Sequence, residues 1–495
     1  MLFPKFKSMP NFSTVIQLVQ SLTQSEKRNF KLITGLQEGN KAYKTLYDLM
    51  IKYSGAEKSV LQEFSEKLPG TDINSTINYL YSVIIRSLLI LNQRAAIDEQ
   101  LLTGIQEARI LFRKGLINEG FSVLAKLRKL ALSNEKNAYC LIIDKLELHY
   151  HNRFQYQNVN ENELLKIQSR LRKNLNYELN LTDHSSLYEL LNYRYINQGS
   201  ARSQRDKEKL NDLVMTEMNL AGNQRFQSFD LKKNHLLFQS VYFMMTGDNK
   251  SSLQTFYELN SLFEEYRQLW SDAPIYYIHH LRGILNNLHT TGQFAAMDFF
   301  IAKLGETGGG SPMALLHQTT YVANLKKFLG LKRYAEAADY IDSQKDFLGK
   351  LQQLTQVNRA ETILYTAITY YYNKQIRQAA KLLRSVIHLG NLPNKQLLRV
   401  LRLINLIVHF ELHDFDYLIS EVRSLEREMK LNTSNYPTET VLLKLFKKYP
   451  QAMSKSARKK LFEASAAELQ ELKDDPFERQ LFMTFDFADW ASGMN

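Results

Sequence analysis

A chain of 495 residues in which 44% are hydrophobic and 23% are charged has the composition of a folded globular protein, which excludes intrinsic disorder as its overall state. Its 9 prolines and 20 glycines are few, and since both residues are unfavourable inside helices, their scarcity favours long helices. The 63 basic and 51 acidic residues give a net charge of +12, spread along the chain, which favours an anionic partner without marking one binding patch.

The first 95 residues show helical patterning but no internal repeat. Polar residues interrupt the apolar stretch that a signal peptide would need at the start of the chain. Thr23 and Glu26 have the spacing of a capping box and predict the beginning of a helix. Residues 73–91 form the most apolar helical segment, and its strongest candidate for a membrane span, residues 81–91, carries Arg86 in the middle, so no span is predicted. Residues 1–95 are therefore predicted to form an N-terminal helical bundle or cap, in a cytoplasmic protein with no membrane partner.

Residues 96–430 repeat one local pattern. Six segments share one order: an apolar helix, a short polar or glycine-bearing turn, an aromatic or aliphatic residue, and a small residue three positions later. The residues that directly follow the six turns are Ile117, Asn249, Phe294, Tyr334, Ile376 and Phe415. The last four steps between these residues are 45, 40, 42 and 39 residues long. The longer interval after Ile117 has room for about three more units, one of them expected within residues 193–213. No alternating segment flanked by turn residues predicts a sheet.

These segments resemble the tetratricopeptide repeat (TPR). The match is best over residues 363–386, where the family's packing positions fall on Ile363, Ala367, Tyr370, Ile376, Ala379, Leu383 and Val386. Two departures are a period longer than the family's usual length of roughly 34 residues and the absence of the signature tryptophan at Ile363, Leu281 and Tyr321. The resemblance implies an all-α fold in which TPR-like helix pairs stack as a right-handed superhelix. The layout of the whole chain also resembles that of bacterial helical proteins, which implies no activity.

Residues 431–495 lack the repeat and are predicted to form a C-terminal helical cap. Asp475, Pro476 and Glu478 have the order of a helix start. The segment that follows places Phe482, Phe485 and Trp490 toward one apolar side. Closing the end of the array is the favoured interpretation of this segment, and docking a partner is the alternative.

Catalytic and metal motifs are missing from the sequence. Cys140 is the single cysteine, which rules out an intrachain disulfide and predicts a buried thiol in a reducing compartment. His409 and His413 share a helix face, but no third ligand accompanies them. The glycines of residues 305–312 lack the lysine of a phosphate-binding loop, and they predict a connector that leads to a helix capped by Ser311 and Pro312. We therefore expect no enzyme activity, no cofactor and no metal.

A concave groove is the binding surface that the resemblance implies. Its repeat positions correspond to Arg109, Arg113, His279, Arg282, Asn286, His289, Lys326, Tyr371 and Tyr372. Arg282 and Asn286 are the most informative pair, because related repeats that bind peptide carboxylates carry basic residues and an asparagine at such positions. Tyr370 is instead predicted to be core, since consecutive helical residues diverge by about 100°. The alternative is that all of these are ordinary exposed helix residues.

The leading hypothesis is a non-catalytic scaffold that binds a protein or peptide segment. Because the groove is basic, the bound segment is expected to be acidic. A first alternative is a nucleic-acid-binding or regulatory helical protein that uses the charge of +12. A second is a structural protein that self-associates through its caps. The sequence predicts no particular oligomeric state.

Overall fold

In a computed structural model of the chain, residues 11–35, 41–53, 56–92, 96–157, 159–223, 228–271, 274–307, 313–387, 392–431 and 436–493 are described. Their regular secondary structure is helical throughout, and no β-strand occurs among them, which confirms the predicted all-α class. In the same residue ranges, no helix combines the length and the apolar character needed to cross a membrane. Residues 308–312, which contain the remaining glycines of the predicted connector and the cap at Ser311 and Pro312, lie outside the described residues.

The chain divides into two compact units, Met1–Gln168 and Ser169–Asn495, here called unit 1 and unit 2. Unit 1 contains the helices α1 (Phe12–Ser21), α2 (Gln24–Gly35), α3 (Ala42–Lys52), α4 (Glu57–Lys67), α5 (Ile73–Asn92), α6 (Ile97–Arg113), α7 (Ile117–Ser133) and α8 (Asn137–Arg153). The long helix α9 (Glu161–Gln198) contains the point of division. The domain boundaries expected at residues 95 and 430 remain predictions.

Two separate cores hold unit 1 together. Side chains of α1 to α5 form one cluster, and side chains of α6 to α8 form another, in which Cys140 is buried as predicted. The capping box at the start of α2 is confirmed. The Thr23 N–H donates to Glu26 Oε2 at 2.6 Å, and the Glu26 N–H donates to Thr23 Oγ1 at 3.3 Å.

Unit 2 continues from α9 with a longer series of helices. They are α10 (Gln204–Glu208), α11 (Asn211–Asn223), α12 (Phe229–Met245), α13 (Asn249–Glu265), α14 (Ile275–Thr290), α15 (Met297–Glu306), α16 (Met313–Gly330), α17 (Tyr334–Ser343), α18 (Lys345–Leu348), α19 (Gln356–Tyr372), α20 (Ile376–Ile387), α21 (Lys395–Glu411), α22 (Phe415–Leu431), α23 (Pro437–Lys448), α24 (Lys455–Asp474), α25 (Arg479–Thr484) and α26 (Phe487–Gly493). Short 3₁₀ turns occupy Arg267–Leu269, Phe294–Ala296, Leu351–Gln353 and Tyr449–Gln451.

The predicted repeat is visible in the backbone at every one of its six turns. Each residue predicted to follow a turn is the first residue of an α- or 3₁₀-helix. The residue two positions earlier has a positive φ in all six units: Gly115 (78°), Gly247 (78°), Gly292 (73°), Lys332 (57°), Lys374 (61°) and His413 (58°). A residue in the left-handed conformation ends one helix and lets the next begin. Glycine adopts this conformation freely, whereas other residues adopt it at a cost of about 1 kcal/mol. The chain therefore has a helical, repeat-like fold.

The packing inside the pairs is equally regular. The residues three positions after each helix start are all buried: Gly120, Ser252, Met297, Ala337, Ala379 and Leu418. Gly120 shows why this position often holds a small residue, because a Cβ there would lie 2.6 Å from Cε1 of Phe112. The two helices of a pair can therefore approach closely only if the side chain at this position is short or packs into the surface of the partner helix.

Two regions depart from the sequence-based expectations. The interval expected to hold about three further units contains α7 to α12, of which α9, a helix of 38 residues, is longer than the helices of the six predicted units. The helix start predicted at Asp475 and Pro476 is wrong, since residues 475–478 form a turn and α25 begins only at Arg479. The reason is that the Glu478 carboxylate binds the Arg202 guanidinium and the Thr438 hydroxyl instead of capping a helix.

Candidate binding cavity in the second unit

A cavity of about 760 Å³ lies within unit 2. Its walls come from α9, α12, α13, α14, α16, α19, α21 and α25. The volume falls in the range of roughly 300–1,000 Å³ that is typical of small-ligand sites. Both apolar and polar side chains line it, so the cavity can accept a ligand that has both characters.

Five of the nine predicted groove residues line this one cavity: His279, Arg282, Asn286, His289 and Lys326. The first four are spaced three or four residues apart on α14, and that spacing places them on a single face of the helix. Lys326 reaches the same space from α16. Whether these residues bind a partner stays a prediction, but the structure brings them together.

The cavity wall includes three charged side chains that contact one another, Arg282, Lys326 and Glu361, here called the cavity cluster. Lys326 Nζ donates to Glu361 Oε1 at 3.0 Å and to Asn286 Oδ1 at 2.7 Å. The Arg282 guanidinium donates to the other oxygen of the Glu361 carboxylate, and its Nη1 donates to Asn358 Oδ1 at 3.0 Å. Glu361 therefore bridges two cations that belong to different helices.

Glu361 and Lys326 are both charged at neutral pH, and an arginine guanidinium is always charged in proteins. Burial by itself would raise the pKa of Glu361, but Arg282 and Lys326 outweigh burial and lower that pKa to about 2. Burial would likewise lower the pKa of Lys326, yet the neighbouring Tyr365 and Glu361 raise it above its usual value. Lys326 is only 5% exposed, and its ammonium group lies 4.7 Å from the ring centroid of Tyr365. The cavity cluster thus carries one more positive charge than negative charge.

Two neutral histidines flank the cavity cluster on α14. Burial lowers the pKa values of both His280 and His289 to about 3, so neither imidazole is protonated near neutral pH. His280 is 2% exposed and stacks on Phe263 with the ring centroids 5.1 Å apart. Among the described residues, neither ring nitrogen of His280 has a hydrogen-bond partner. Both histidines line the cavity.

The predicted tyrosines lie outside the cavity, beneath the C-terminal segment of the chain. Tyr371 is 7% exposed, and its hydroxyl donates to Glu411 Oε1 at 2.9 Å. Tyr372 is half-buried and stacks on Tyr334, with the ring centroids 4.4 Å apart. The Phe485 ring packs against both, at 5.5 Å from Tyr371 and 5.6 Å from Tyr372.

Other predicted site residues are placed elsewhere. Tyr370 is half-buried and packs on the largest apolar cluster. Arg109 and Arg113 are exposed on α6 of unit 1 and do not line the cavity of unit 2. His409 Nδ1 bonds the Asp414 carboxylate at 2.9 Å, next to a turn. No group of three or more possible metal-binding side chains occurs in the described part of the chain.

A second charged cluster joins the two ends of unit 2. Arg202 follows α9, Glu439 lies on α23 and Glu478 precedes α25; these three residues are here called the clasp. The guanidinium donates from Nη1 and Nη2 to the two oxygens of Glu439 at 2.9 and 2.8 Å, and from Nε to Glu478 Oε1 at 2.6 Å. Their side chains are 11%, 2% and 1% exposed, respectively.

Sequence reasoning missed Glu361 and the whole clasp. Glu361 is 79 residues from Arg282, and Glu478 is 276 residues from Arg202. A lone glutamate on a helix gives no local signal that its partner lies on another repeat.

Comparisons of the sequence with protein-family models and with curated proteins found no match.

Proposed function

We propose that this chain is a non-catalytic binding protein whose TPR-like helix pairs stack as a right-handed superhelix, and that the cavity of unit 2 receives an acidic protein or peptide segment. The observation that carries the proposal is the cavity cluster, in which Arg282 and Lys326 share the single carboxylate of Glu361. Buried charges are normally balanced by partners, because an unpaired charge loses its hydration. A ligand carboxylate balances the surplus positive charge.

The remaining polar groups of the wall suit a peptide. Arginine presents a planar fork of donors that fits a carboxylate, and asparagine amides can donate to and accept from a peptide backbone. The cavity is lined by the asparagines Asn192, Asn234, Asn286, Asn287 and Asn394. No step of bond making or breaking is required of these residues.

The test is a selection from a random peptide library, followed by calorimetric titration of the selected peptides. We expect wild-type protein to select acidic peptides, and Arg282→Gln and Lys326→Gln to weaken their binding about 10- to 100-fold, which corresponds to the loss of one charge-assisted hydrogen bond. The matched control is Arg402→Gln, since Arg402 is a similarly buried arginine that contacts Glu421 and Glu428 and does not line the cavity. Equal affinity of both cavity variants and the wild type would rule out this cavity as the binding site.

A further inference from the structure

The wall of the cavity closes on itself. Helix α12 packs against α13, α13 against α14, α14 against α16, α16 against α19 and α19 against α21. Helix α9 packs on α12 through an apolar cluster that includes Leu187 and Phe238. The circuit is completed where the Ser200 N–H, just after α9, donates to Gln396 Oε1 of α21 at 3.1 Å. Helices from both ends of unit 2 thus surround the same space.

The chain's own C-terminal segment strengthens this closure. Gln480 and Thr484 of α25 line the cavity. The Ser200 hydroxyl donates to Gln480 Oε1, and Gln480 Nε2 donates to the carbonyl oxygen of Met244, both at 2.8 Å. The buried Phe482 anchors the segment in the largest apolar core, and the clasp holds its beginning. A polypeptide running through the cavity would have to displace these contacts.

The charges at the cavity set the charge of a matching ligand. Two further charged side chains line the cavity: Lys233 is paired with Asp230, and Glu189 is exposed, where water hydrates its carboxylate. The cavity cluster is left with one surplus positive charge, which one carboxylate balances.

The rest of the wall suits an apolar body. Aliphatic and aromatic side chains face the cavity from four helices: Ile196, Leu237, Val241, Leu364, Tyr365 and Val400. Burial of apolar ligand surface against such groups stabilises a complex by roughly 25 cal/mol per Å² of apolar area. Asn287 Oδ1 and the ring nitrogens of His280 are buried at the cavity and have no protein partner among the described residues, so a polar ligand atom can satisfy them.

From these four features we infer that the cavity takes a small amphipathic monocarboxylate, with one carboxylate on an apolar or aromatic body, rather than a polypeptide that passes through it. This inference rests on the proposed function, because it uses the same cavity cluster. It keeps the binding group of the proposed function but differs in the class of ligand, which is a free small acid in place of an acidic protein or peptide segment.

The test uses naphthalene-2-carboxylate and dodecanoate as probes, with naphthalene-2-carboxamide as the neutral match, in calorimetric titrations of the full chain. A fourth probe is a twelve-residue peptide with central glutamates and with both ends blocked. We expect both acids to bind, and the carboxamide and the peptide to bind at least tenfold more weakly.

The decisive variant is Asn286→Asp, which places a second carboxylate beside Lys326 Nζ, where the Asn286 oxygen already lies at 2.7 Å. The change is isosteric, so folding should be preserved, and it removes the surplus positive charge. We expect the substitution to weaken the binding of naphthalene-2-carboxylate at least tenfold and to leave the binding of the carboxamide unchanged. Asn197→Asp is the matched control, since Asn197 does not line the cavity.

The outcomes separate the two proposals. Tight binding of the blocked peptide without binding of the small acids overturns this inference and supports the proposed function. Failure of every anionic probe overturns both. Binding of the acids that is unchanged in Asn286→Asp overturns the assignment of the carboxylate to the cavity cluster.

Discussion

The clasp and the cavity cluster both combine basic side chains with glutamate, but their imbalances of charge are opposite. The clasp sets one guanidinium against two buried carboxylates, and the cavity cluster sets two cations against one carboxylate. In the clasp, the Thr438 hydroxyl donates to Glu478 Oε2 at 2.6 Å and so satisfies part of the surplus negative charge. In the cavity cluster, the surplus positive charge lies beside a cavity of about 760 Å³.

The difference shows how a buried ionic cluster can serve structure in one place and binding in another. A cluster whose charges are satisfied by the protein itself fixes the arrangement of helices. A cluster that has an unbalanced charge next to open space is satisfied by water or by a ligand. The following changes test that distinction.

The largest effect is expected from Arg202→Met in the clasp. It leaves the carboxylates of Glu439 and Glu478 buried without their cation, and breaking a buried pair in this way costs about 3–5 kcal/mol. The free energy of unfolding, from urea denaturation followed by circular dichroism, should fall by that amount. The triple variant Arg202→Met, Glu439→Gln, Glu478→Gln should recover part of the loss. A loss below about 1 kcal/mol, the size typical of exposed pairs, would show that the clasp is not a structural element.

A smaller loss of about 2 kcal/mol is expected from Glu361→Gln in the cavity cluster. The change leaves Arg282 and Lys326 facing each other without a carboxylate, but water in the cavity can hydrate them, so the cost should be below that of the clasp variant. Raising the concentration of naphthalene-2-carboxylate should restore stability to this variant more than to Arg202→Met, because only the cavity admits the anion. If the ligand restored stability equally in both variants, the conclusion that only the cavity cluster has an open binding space would be wrong.

Much of the local structure could be predicted from the sequence, because it depends on neighbouring residues. The starts of six helices followed from turn chemistry, and the shared face of Arg282, Asn286 and His289 followed from helical spacing. The burial of Tyr371 could not be predicted, because it depends on Phe485, more than a hundred residues away. For the same reason, the sequence could not predict that Glu361 pairs with Arg282 and Lys326 or that the helices around the cavity form a closed circuit.

A pH dependence is expected from the buried histidines that flank the cavity cluster. His280 has a pKa of about 3 in the folded chain, against an ordinary value near 6.5 when unfolded. Between these values the unfolded chain binds the proton more readily, so folding stability is retained above about pH 6.5 and is lost as the pH falls toward 3. His280→Phe should reduce this loss by about 1.4 kcal/mol per pH unit in that window.

Urea denaturation at pH 7.0 and 5.5 measures the difference. The control is His413→Asn, at a turn position away from the cavity, and an unchanged slope in His280→Phe would contradict the neutral state of His280.

The smallest expected effect, and the only gain, is that of Asn286→Asp on stability without ligand. The new carboxylate gives Lys326 an ionic partner in place of an amide, which should raise the free energy of unfolding by about 1 kcal/mol at low salt. Asn197→Asp adds the same charge elsewhere in unit 2 and should change stability by less than about 0.5 kcal/mol. Urea denaturation of the two variants at low and high salt distinguishes a local effect from a general one. A gain in both variants would mean that the net charge of +12 limits stability, whereas a gain in Asn286→Asp alone shows that the cavity cluster contains an unbalanced positive charge.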